Sequence, residues 1–179
     1  MRTINVVRKE MKTSAETRFV DDGSQMVEFL KTYAVVCPNC GRSANVSITN
    51  QDAFVLFAPR RLTCTSCGAT KEWASQSLTY PDAESGVDWY FRLPFFFQKR
   101  CAGHSLWVAN REHLEFLRSY IAAKHRTRKR DEHGWKNKSL ASRIPRWLSH
   151  ANNRTAILSA LDDLEQRMKT PPKVAQGRL

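Results

Sequence analysis

Apolar residues alternate in short runs over the first hundred positions and recur at helical spacing afterwards. In residues 43–49, Ala44, Val46 and Ile48 alternate with Asn45, Ser47 and Thr49, the period of a half-buried strand. Residues 26–36 close on Tyr33-Ala34-Val35-Val36, which predicts another strand. Phe54–Phe57, Arg61–Cys64 and Lys71–Ser77 predict three more, with Asn50-Gln51-Asp52 as a turn. Phe95–Lys99 and Ser105–Ala109 are expected to pair as a hairpin around Cys101-Ala102-Gly103. Asn110 has the chemistry of a helix N-cap, and Glu112 stands in the first turn, where the helix dipole favours an acid. Leu114, Leu117 and Ile121 follow at helical spacing, so a helix is expected over 111–125.

Beyond it, KHRTRKRDEHGWKNK is too polar to pack and reads as an exposed linker or a frayed helix end. A short helix is expected from Ser139 to Ile144, and Pro145 suits the first turn of another that carries Trp147 and Leu148. Asn153 is expected to cap a last helix with Ile157, Leu161, Leu164 and Met168 along one stripe. Burial within the chain is the default for that stripe, and docking of a protein partner on this C-terminal helix is the alternative. Pro171-Pro172 ends the helix.

Composition narrows the class. The chain has 179 residues, 41% of them apolar, and only seven glycines and seven prolines, so a packed core is feasible and a low-complexity chain is excluded. The opening residues lack an apolar signal-peptide core, and no apolar run nears the roughly 20 residues of a membrane span. A cytoplasmic protein without a membrane partner is the expectation. The net charge of +12 is uneven. Residues 1–97 carry 11 Lys/Arg against 10 Asp/Glu, whereas residues 98–179 carry 18 against 7. A one-signed C-terminal half favours a polyanionic partner, and nucleic acid is the leading candidate.

The strongest chemical signal is Cys37-Pro38-Asn39-Cys40-Gly41 followed by Cys64-Thr65-Ser66-Cys67-Gly68. Each C-x-x-C folds into a tight knuckle aiming two sulfurs at one point, and the following glycine permits positive φ. Cys37, Cys40, Cys64 and Cys67 together make a closed tetrahedral thiolate shell, which suits one structural Zn2+ and leaves no open position for catalysis. A loaded site lowers the formal charge from +12 to about +10, because zinc replaces four thiol protons. Arg42, Arg60, Arg61 and Lys71 flank the knuckles and either offset the thiolate charge or contact nucleic acid. A thioredoxin-type redox pair is disfavoured, because both motifs are flanked by strand-like sequence.

This pattern and its strand context, over residues 33–77, resemble the zinc-ribbon superfamily, whose members bind DNA, RNA or proteins. The blocks LWVANREHLEFLRSYIAAKHR and SLASRIPRWLSHANNRTAILSAL are similar to a group of uncharacterised bacterial zinc-ribbon proteins, which implies a bacterial source but no activity. The expected fold is therefore α+β, with an N-terminal zinc-ribbon β module, an aromatic β-hairpin and a C-terminal helical region. The expected divisions are an irregular segment 1–30, a ribbon 31–80, a hairpin plus helix 87–125, a basic linker 126–138, helices 139–170 and a disordered tail 171–179.

Weaker signals surround the ribbon. Lys99, Arg100, Lys124, Arg126, Arg128, Lys129, Arg130, Lys136 and Lys138 are the candidate phosphate contacts, with a merely solubilising linker as the alternative. Trp89, Tyr90, Phe91, Phe95, Phe96 and Phe97 crowd together as core, or else as a platform for stacked bases. Cys101 and His104 form half of a metal pattern without a partner pair, which favours a buried thiol and a surface histidine. His104, Asn110 and His113 match the residue types of HNH nucleases but at the wrong spacing. A non-catalytic nucleic-acid-binding protein thus leads, ahead of a zinc-stabilised interaction adaptor or subunit of a larger complex, and of a metal-dependent nuclease.

Overall fold

The computed structural model describes residues 18–74, 77–78, 80–82, 84–128 and 138–170. Among the described residues, eight strands and four α-helices make a mixed α+β fold: β1 (Arg18–Asp21), α1 (Met26–Phe29), β2 (Thr32–Val36), β3 (Ser43–Ile48), β4 (Arg60–Thr63), β5 (Thr70–Trp73), β6 (Phe97–Cys101), β7 (His104–Val108), α2 (Arg111–Ala122), β8 (His125–Arg128), α3 (Arg146–Ser149) and α4 (Arg154–Lys169). Among the described residues, no helix is long and apolar enough to cross a membrane.

Strands β2 to β5 form an antiparallel meander in sequence order. The connections β2–β3 and β4–β5 therefore lie at one end of the sheet and the 49–59 loop at the other. The alternation expected of residues 43–49 is realised, with Ala44 and Val46 buried. Phe54–Phe57 is not a strand: it forms turns, and Phe54 is 72% exposed. An apolar run without alternating polar positions does not distinguish a strand from an aromatic loop. The 26–36 segment also divides, into α1 and then β2, with Gln25 and Glu28 forming a capping box.

Residues 86–96 lie against the free edge of β2, where Val36 N–H donates to Pro94 and Phe96 N–H to Ala34. Asp88 holds this turn. Although fully buried, it accepts bonds from the backbone N–H groups of Tyr90, Phe91 and Leu93 and from the Tyr33 hydroxyl. A buried carboxylate demands such saturation. Tyr90, Phe91 and Phe95 join Tyr33, Val35, Val46 and Leu62 in one core, so most of the aromatic cluster is structural.

The β6–β7 hairpin forms as expected and separates that core from a second. Leu106 and Val108 face the second core with Leu114, Leu117, Ile121, Ile157, Leu161 and Leu164, whereas Trp107 packs on the first. The stripe on α4 is thus buried within the chain. Asn110 caps α2, its side chain accepting from His113 N–H at 2.9 Å. Asn153 stands at the N-cap position of α4 as expected, but its side chain makes no capping hydrogen bond; its amide donates to the Trp147 carbonyl instead. The segment from Ser139 is a 3-10 turn at Ala141–Arg143, followed by α3.

Two polar stretches expected to be irregular pair with each other. β1 and β8 form a parallel two-stranded sheet, register Arg18↔His125 to Asp21↔Arg128, so the basic segment opens as a strand rather than a linker. Phe19 anchors it, edge-on to Phe116 and Tyr120. The tail 171–179 and residues 129–137 of the expected linker lie outside the described residues.

Candidate metal centre

Both C-x-x-C motifs sit in connections at the same end of the meander, and this topology brings four sulfurs together. The two knuckles are built alike. Cys37 N–H donates to Arg42 and Gly41 N–H to Cys37; Cys64 N–H donates to Ala69 and Gly68 N–H to Cys64. Gly41 has φ of +69° and Gly68 of +74°, where a side chain is strained even though nothing would collide with a Cβ. The four ligand atoms all lie within 4.8 Å of one another. Cys37 Sγ is 3.7 Å from Cys67 Sγ, and Cys40 Sγ is 3.6 Å from Cys64 Sγ. Disulfide sulfurs stand about 2.05 Å apart. A tetrahedral ion with metal–sulfur bonds of about 2.3 Å separates its sulfurs by about 3.8 Å. The spacing is that of ligands rather than of a disulfide, and the set could hold a metal ion.

The electrostatics of the cluster point the same way. Burial pushes the Cys64 thiol up, but the backbone N–H groups of Cys67 and Ser66 and the thiols of Cys37 and Cys40 bring it down to about 6. The Ala69 N–H lowers Cys67, but burial and the other three thiols together push it up to about 12. One thiol ionises readily and another resists, as like charges crowded on one site must; a dication removes that conflict.

Two of the flanking cations, Arg60 and Arg61, are engaged away from the sulfurs. Arg61 pairs with Glu72 at 2.7 Å. Arg60 is buried, its guanidinium 3.4 Å from the centroid of Tyr90, donating to the carbonyls of Ala58 and Val55. Tyr90 donates its hydroxyl to the Leu56 carbonyl. Arg60 and Tyr90 therefore fasten the 54–58 loop at the end of the sheet away from the cysteines. No sequence signal marks this role for Arg60.

No other set of three metal-ligating side chains assembles among the described residues. Cys101 is buried, and burial raises its thiol. His104 stacks on Trp147 with ring centroids 4.6 Å apart and lies 3.4 Å from Glu84. His113 packs beside Phe29 and Trp107, and its Nδ1 accepts the Ala109 N–H. It is a buried side chain packed among aromatic rings.

The candidate phosphate contacts divide into two sets. Lys99 and Arg100 lie on β6, and Lys99 is ion-paired with Asp163 of α4. Lys124, Arg126, Arg128 and Lys138 gather around β8. Arg128 lies 3.8 Å from Asp21, which also accepts from Ser139 Oγ, next in chain to Lys138. Arg154 joins them by donating to the Ala123 carbonyl, next in chain to Lys124. Arg126 lies over the Tyr120 ring and bonds its carbonyl. Lys129, Arg130 and Lys136 fall outside the described residues. Compared with protein-family models, curated proteins and solved structures, the chain matches none.

Proposed function

We propose that the protein is a structural-zinc protein of zinc-ribbon type that binds nucleic acid without catalysing its cleavage. Cys37, Cys40, Cys64 and Cys67 would hold the ion, and the all-thiolate donor set favours zinc. Bound there, zinc supplies a crosslink between the two knuckles and no open coordination position.

The observation that carries the nucleic-acid reading is a segregation of charge. In residues 98–128 and 138–170 the five carboxylates, Glu112, Glu115, Asp162, Asp163 and Glu165, all stand on α2 and α4. Three of them are matched by Lys99, Arg111, Arg118 and Lys169. Residues 124–128 and 138–154 carry seven Lys/Arg and no carboxylate of their own, with Arg128 facing Asp21 of β1. A local excess of this kind suits a phosphate backbone, whose neutralisation releases counterions.

Fluorescence anisotropy across a salt series tests the reading. The expected result is binding that weakens along a straight log–log line. Replacing Lys124 and Arg126 by Gln should lower the slope by nearly two on duplex DNA, about 0.9 for each phosphate that is no longer neutralised, whereas Arg128 already faces Asp21. Lys99→Gln should leave it unchanged, because Asp163 already matches Lys99. Absence of binding at low salt would refute the proposal and direct attention to a protein partner.

A further inference from the structure

A cleft of about 690 Å3 opens between the 54–56 turn, α1, β7 and the 138–148 segment. Its volume falls among small-molecule sites, roughly 300–1,000 Å3. Its walls are unusually aromatic: Phe54, Tyr80, Trp89, Trp107 and Trp147 all line it. Two of these rings are placed where folding alone would not put them. Phe54 is 72% exposed and Tyr80 57%. Among the described residues only four large hydrophobic side chains are exposed, and a third, Phe57, stands with its ring 6.4 Å from that of Phe54. Such a concentration marks a binding surface.

The rings are held rather than loose. The 54–58 loop is fixed by Arg60 and Tyr90, Tyr80 lies edge-on to Trp89 at 5.0 Å, and Trp147 is stacked on His104. The buried indole N–H of Trp147 has no hydrogen-bond acceptor among the described residues. Cations stand on the same wall, at Lys138 and Arg143, within the carboxylate-free stretch 138–154. The two lining carboxylates are engaged: Glu28 accepts the Gln25 N–H, and Glu84 faces His104.

We infer that this cleft receives unpaired bases of single-stranded nucleic acid, stacked on Phe54 and Tyr80, with the adjoining phosphates on Lys138 and Arg143. The inference rests on the nucleic-acid reading and specifies its ligand. Every base has a π-face, so aromatic walls with cationic rims take single strands without reading sequence. In a duplex the faces are buried in the stack, so the cleft discriminates by strandedness.

The test uses the full-length zinc-loaded protein with oligo(dT), oligo(rU) and a duplex of equal length. The measurements are anisotropy and intrinsic tryptophan fluorescence, for wild type and Phe54→Ala/Tyr80→Ala. Both side chains are exposed, so the variant is expected to fold. The inference predicts tryptophan quenching by single strands and at least a tenfold loss of single-strand affinity in the variant, with duplex affinity nearly unchanged. Stronger binding of one single strand than the other supports it equally. Equal affinity for single strands and duplex, unaltered in the variant, would overturn the cleft's role while leaving the basic surface in place. No binding of any oligonucleotide at low salt would overturn both.

Discussion

The guanidinium of Arg60 lies over the ring of Tyr90, 3.4 Å from its centroid, and bonds the carbonyls of Ala58 and Val55. This pair joins the cysteine-bearing sheet to the aromatic segment and fixes the loop that presents Phe54. Arg60→Met should cost on the order of 3 kcal/mol, because two inward-facing carbonyls lose a charged donor. Arg60→Lys should recover little, since an ammonium neither stacks flat nor reaches two acceptors with a planar fork. Urea unfolding at fixed zinc concentration measures both. A loss below about 0.5 kcal/mol for Arg60→Met, the range of an ordinary surface change, would contradict this role.

Stability should also depend on His113. Burial lowers its pKa from the ordinary 6.5 to about 3, so the folded protein keeps it neutral where the unfolded chain protonates it. The unfolded state then binds the extra proton between those values, and stability contributed by the neutral imidazole is complete above pH 6.5. It falls as the pH drops toward 3, by about 1.4 kcal/mol per unit from this one group. Thiolates at the metal centre add their own acid sensitivity, so the quantity to measure is the difference between wild type and His113→Gln. That difference should be flat above pH 6.5 and should change steadily below it. A difference independent of pH down to 4.5 would contradict the assignment.

A third prediction concerns the β6–β7 turn. Ala102 and Gly103 both have positive φ, +50° and +83°, in a two-residue connection. Positive φ at both central positions is the requirement of a type I′ turn, which favours Asn-Gly. Ala102→Asn should therefore raise stability by about 1 kcal/mol, seen as a higher urea midpoint with an unchanged slope. A lower midpoint would show that the turn is held by other interactions.

What was legible in the sequence was local. The two knuckles, the alternation of Ala44 and Val46, the cap at Asn110 and the stripe of α2 are each encoded within a few residues. Their order along a meander then sufficed to bring the four cysteines together. Pairing across a long separation was not legible. Val20 and Thr127 are partners across more than a hundred residues, and His125–Arg128 is too polar to show a strand period. Context also overrode local chemistry. Asn153 occupies a capping position, but its backbone is already helical, with φ of −90° and ψ of −10°, and its side chain turns to Trp147. Phe54 reads as part of a strand and is exposed in a turn-rich loop. Arg60 reads as a cation beside the knuckles and is buried against Tyr90. In both, the deciding neighbour lies outside the local run: Tyr90 for Arg60, and the cleft wall for Phe54.

The account stands first on the ion held by Cys37, Cys40, Cys64 and Cys67, and elemental analysis of protein purified without chelator measures it directly. The expected result is one zinc per chain, lost together with cooperative unfolding in Cys40→Ser and Cys64→Ser. Far less than one zinc per chain in folded wild-type protein, or full stability of the serine variants, would contradict it.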